Sequence, residues 1–133
     1  MKKPAFKRGD MVEFAWESAV KVGEVHIMDE NGTFEQCEEP SYDIRVPDEG
    51  LYKHVPESCV RMPAENDPPE RFILRKVKQR RGPVKGKQTY EAMRLCLTAE
   101  EAYEAMKILK GGPINVFGQM FFVTYDVCKS EIL

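Results

Sequence analysis

Hydrophobic and polar residues alternate along most of this chain, and the period is that of strands. Met11 to Trp16 places Val12, Phe14 and Trp16 on one face of a half-buried strand. Lys21 to Met28 carries Val22, Val25 and Ile27, with Gly23 near its start, where glycine predicts a bulge or sharp bend. Asn31-Gly32 supplies a turn signal, and an acidic loop runs to Ser41. Tyr42 to Val46 and Leu51 to Val55 are further short strands. Pro56 to Cys59 has the composition of one helical turn, and Val60 to Met62 closes the set.

Residues 63–70, PAENDPPE, break the pattern. Three prolines, three acids and no large apolar side chain predict a stiff, exposed connector. The segment after it reads β-β-α-β-β. Arg71–Gln79 and Thr89–Leu97 form a hairpin around a basic turn. Thr98 to Glu101 is a capping box, opening a helix that runs to about Lys110 with Ala102, Ala105, Met106 and Leu109 as its apolar stripe. Gly111-Gly112-Pro113 ends it, and Ile114–Phe117 with Met120–Val127 makes a last hairpin. The fold class predicted is therefore α+β, with a first module over 1–62, a linker over 63–70 and a second module over 71–133.

Charge sharpens this division. The net charge of −2 over 133 residues hides a balance of −5 in 1–62, −3 in 63–70 and +6 in 71–133. Arg71 to Lys87 holds eight cations and no acid, more than solubility requires. Lys and Arg displayed on such a hairpin can contact phosphates, releasing counterions as they do so. The expected basic surface is Arg75, Lys76, Lys78, Arg80, Arg81, Lys85 and Lys87. Ten acids between Glu24 and Glu57 make a second candidate surface, represented by Glu35, Glu38, Glu39, Asp48 and Glu49. The plainer reading of both sets is a solvated, charged exterior.

The residues Lys7-Arg8-Gly9-Asp10-Met11-Val12-Glu13-Phe14, Val22-Gly23-Glu24-Val25 and Leu51-Tyr52-Lys53-His54-Val55-Pro56-Glu57-Ser58 resemble SH3-like small barrels of the KOW and Tudor type. They are similar in particular to short proteins of bacteria and their phages and plasmids. The resemblance covers about residues 6–62 and implies a five-stranded barrel with a helical turn before its last strand. Barrels of this type bind RNA, DNA, proteins or modified side chains, so the fold does not choose a ligand. A Tudor-type cage would draw on Trp16, Phe34, Tyr42 and Tyr52 as barrel-mouth aromatics.

Reactive chemistry is harder to find. His26, Cys37, His54 and Cys59 are usable zinc ligands, but their spacing is not that of a structural zinc site, so no metal is expected. Cys59 near His54 lacks the flanking residues and third group of a thiol–imidazole pair. No phosphate-binding glycine loop occurs, and no cofactor is expected. No apolar run approaches the roughly 18 residues of a membrane span. A charged start without an apolar stretch, and cysteines with no C-x-x-C pair, point to the cytoplasm and reduced thiols. The expectation is non-enzymatic docking on a protein or ribonucleoprotein, with a mobile-element inhibitor of a defence nuclease (anti-CRISPR type) as one instance. Direct RNA or DNA binding through the hairpin at 71–97 is the alternative. Neither module is large, so packing of one on the other, or homodimerisation, would help to cover their apolar faces.

Overall fold

A computed structural model describes residues 4–30, 39–81 and 87–131. Among these the architecture is mostly β: two antiparallel sheets, one short α-helix and one 3₁₀ turn. The first sheet contains β1 (Met11–Trp16), β2 (Ala19–Asp29), β3 (Ser41–Val46), β4 (Gly50–Pro56) and β5 (Val60–Arg61). A 3₁₀ turn over Glu57–Cys59 precedes β5. The spatial order is β4-β3-β2-β1-β5: four strands meander, and the fifth returns to pair with β1. Each strand falls where alternation predicts it.

Gly23 has a different use from the one its position predicts. The register shift of β2 lies further on, between Val25 and Ile27. Gly23 is buried against β3, where a Cβ would come 2.6 Å from the Arg45 carbonyl oxygen and 2.8 Å from Ile44. Close approach of two strands, not a bulge, excludes a side chain there.

The second sheet contains β6 (Glu70–Arg80), β7 (Gln88–Cys96), β8 (Gly112–Val116) and β9 (Gln119–Glu131), in the order β7-β6-β9-β8. The helix α1 (Ala99–Met106) lies between β7 and β8 in the chain. One half of its capping box forms as expected, the Glu101 amide donating to Thr98 Oγ1 at 3.2 Å, while Glu101 Oε2 accepts from the Leu97 amide, one residue before the N-cap. The helix is shorter than the pattern predicts. At Lys107 the backbone amide is shared between Tyr103 and Glu104, and the Leu109 amide bonds to Met106, so the coil tightens and stops before Lys110.

One core joins the two sheets. Val12, Phe14, Val20, Val25, Ile44 and Val55 of the first sheet pack in the same buried cluster as Ile73 of β6 and Leu95 of β7. The alternation of β1 predicts an outward Glu13, yet Glu13 and Ala15 are as buried as Val12 and Phe14. The cause is tertiary, because β7 packs against β1 and covers the strand's second face.

The connector helps to lock this junction. Residues 62–66 are exposed as its composition predicts, but Asp67 turns inward and Glu70 already belongs to β6. Asp67 accepts from both Arg61 guanidinium nitrogens at 2.8 Å. Arg71, 1% exposed, donates from Nε to Glu13 Oε1 at 2.8 Å, and Arg61 bonds to the same oxygen. A glutamate of β1, an arginine of β5, an aspartate of the connector and an arginine of β6 thus share one ionic cluster. The Asp67 carboxyl is held down at about 2 by Arg61, with help from the Ala64 amide.

Candidate functional site

The charges of β6 divide between two faces because successive strand residues point opposite ways. Arg71, Ile73 and Arg75 face the first sheet, reaching Glu13, the shared core and Ser18 respectively. Arg75 is consumed inside the molecule. Its Nε and Nη2 bond to the two Asp126 oxygens at 2.8 and 2.6 Å, Nη1 bonds to Ser18 at 2.6 Å, and the guanidinium lies 4.2 Å from the Tyr90 ring centre. It is part of the junction and not of an open basic surface.

Lys76, Lys78 and Arg80 occupy the opposite face of β6. Tyr125, Val123 and Phe121 of β9 stand directly across from them. The Lys78 ammonium lies 5.3 Å from the Phe121 ring centre. A groove of about 220 Å³ continues the same face, lined by Lys76, Lys110, Gly111, Gly112, Ile114 and Tyr125. At the end of the strand the Arg81 amide bonds to the Met120 carbonyl, and its guanidinium lies 5.8 Å from the Phe122 ring centre. Arg80, Arg81 and Lys87 are exposed, whereas Lys76 and Lys78 are half-buried. Lys85 lies outside the described residues. Among the described residues, none of Lys76, Lys78, Arg80 and Arg81 has a carboxylate at ion-pair distance.

The acids of the first module are placed differently. Glu35 and Glu38 lie outside the described residues, as does Phe34. Glu39 accepts from the Ser58 hydroxyl at 2.8 Å. Glu49 accepts from Lys21 at 2.7 Å and from the Tyr52 hydroxyl at 2.6 Å, and these two donors hold its carboxyl below the usual range. Asp48 is exposed in the β3–β4 turn with a φ of 66°. Of the acids expected to make a surface, two therefore satisfy partners within the chain.

The aromatics expected at one mouth separate. Trp16 and Tyr52 meet edge to face at 5.0 Å, with Phe14 at 5.5 Å from Tyr52. Tyr42 is buried elsewhere, against Phe6, and donates to Glu57 at 2.7 Å. Burial, then the Glu57 carboxylate, push its hydroxyl up to about 12. A cleft of about 250 Å³ between the sheets is lined by Trp16, Glu17, Lys53, His54, Tyr90 and Glu91. Glu17 and His54 both have positive φ, 53° and 59°.

Cys59 is fully buried and its thiol is pushed far up by that burial, while His54 is exposed on β4. Among the described residues no three His, Cys, Asp or Glu side chains come together as metal ligands. Among the same residues no helix is long and apolar enough to cross a membrane.

Phe121, Tyr125 and Lys110 join the basic face without a warning in the pattern. Each belongs to a segment that reads locally as core hairpin or helix end; the β6–β9 pairing brings Phe121 and Tyr125 beside the cations, and Lys110 shares a groove with Lys76 and Tyr125. Comparison with family models, with curated proteins and with solved structures finds no match to the chain.

Proposed function

We propose that this protein is a non-enzymatic macromolecule-binding protein whose contact surface is the cationic end of the second sheet, and that its partner is a nucleic acid. The observation that carries the reading is the placement of Lys76, Lys78 and Arg80 on the face of β6 turned away from the first sheet, with no carboxylate at ion-pair distance among the described residues. Cations set side by side repel one another, and a phosphate backbone relieves that repulsion while releasing its counterions. The first module is read as an SH3-like barrel. Its strand order, the 3₁₀ turn before β5 and the bulged β2 support that assignment. It serves here as the platform on which the basic sheet is mounted. The buried, proton-retaining thiol of Cys59 is not placed to act as a nucleophile.

A second reading keeps the partner a protein or ribonucleoprotein, which includes nuclease inhibition of the anti-CRISPR type. It is favoured by large apolar side chains left in solvent, with Phe117 101% and Ile108 83% exposed. A salt titration separates the two. Four phosphate contacts on a single strand give a slope of log affinity against log salt of about −3. Arg80→Glu with Arg81→Glu should abolish nucleic-acid binding while leaving the thermal midpoint unchanged. A protein that binds no oligonucleotide at low salt overturns the nucleic-acid reading.

A further inference from the structure

We infer, resting on the reading just given, that the nucleic acid is single-stranded, its phosphates tracking Lys76, Lys78 and Arg80 while its bases stack on Phe121 and Tyr125. Three features of one sheet face carry this. The cations of β6 recur at every second residue, so Lys76 to Arg80 forms a straight row about 13 Å long. Across β9 from that row, Lys110 adds a further cation to the groove it lines with Lys76 and Tyr125. Phe121 and Tyr125 run parallel to that row on the neighbouring strand, facing the same way as Arg80 and Lys76.

A duplex cannot use this arrangement. Its bases are stacked on one another and its surface is phosphate, so rings set beside the cations would meet only the backbone. A single strand offers one edge of phosphate and one edge of unstacked bases, which matches a row of cations beside a row of rings. Position also sets the direction. Glu91 stands opposite Lys76 on β7, and its charge opposes phosphates on that side, leaving the β9 side for the strand. Lys78 over the Phe121 ring presents charge and aromatic surface together. No base edge is read by this face, so binding would be tolerant of sequence.

The test measures binding of a fluorescein-labelled oligo-dT of about 12 nucleotides, and of a duplex of the same length, by anisotropy at low and moderate salt. The expected result is affinity for the single strand at least about tenfold above the duplex. Phe121→Leu with Tyr125→Leu, which keeps apolar packing, should weaken the single strand by about tenfold or more and leave the salt slope unchanged. If single strand and duplex bind equally and the aromatic variant is silent, the inference falls while the nucleic-acid reading stands. If neither oligonucleotide binds the wild-type protein, both fall. The wild-type preference is decisive by itself should the aromatic variant fold poorly.

Discussion

Replacing Glu13 by Leu tests whether the two sheets form one energetic unit. Glu13 is fully buried on β1, and one of its oxygens takes both Arg71 and Arg61. Arg61 retains Asp67, but Arg71 is 1% exposed and would keep only backbone carbonyls and a distant Asp67 oxygen at 3.6 Å. Removing one partner of a buried ion pair costs about 3–5 kcal/mol, because the remaining charge stays desolvated and uncompensated. At about 4 °C per kcal/mol for a chain of this size, the thermal midpoint should fall by about 12–20 °C. Glu13→Leu combined with Arg71→Met removes both charges and should recover most of that loss, leaving a coupling of about 2 kcal/mol or more. Urea unfolding measures it by two probes: fluorescence of Trp16, the single tryptophan, which sits in the first sheet, and far-UV circular dichroism over both sheets. The transitions should coincide. A Glu13→Leu cost below about 1 kcal/mol, or additive losses in the double variant, would refute the cluster as the lock. Separate transitions for the two probes would refute the shared core.

Asp67 sets a pH dependence on the same junction. Its folded carboxyl titrates at about 2, below the ordinary 3.8, so its contribution is present above about pH 4 and is lost as pH falls towards 2. Asp67→Asn should flatten the acid limb of the stability curve in that window, measured by urea midpoints at successive pH values; an unchanged limb would count against the assignment. Gly111→Ala probes the packing behind the basic groove. A Cβ there runs into the Val123 carbonyl oxygen of β9, so stability should drop by about 1–3 kcal/mol. A neutral substitution would show that the turn yields.

Local chemistry was enough for the elements. Alternation in Met11–Trp16 and Tyr42–Val46, the Thr98–Glu101 capping box and the glycines after the helix each act through neighbours in the chain. For the same reason the excess of cations over 71–87 needs no structure to be seen. What periodicity cannot carry is which strand lies beside which, since pairing between distant segments depends on surfaces that exist only after collapse. The position of β9 next to β6 decided that Lys78 meets Phe121 and that Arg75 is spent on Asp126. Packing of β7 across β1 decided that Glu13, polar and outward by alternation, is buried and must be matched by Arg71. Sequence determined the strands and the sign of each half; tertiary structure decided which charges were left for a partner, because burial and pairing are properties of the assembled faces.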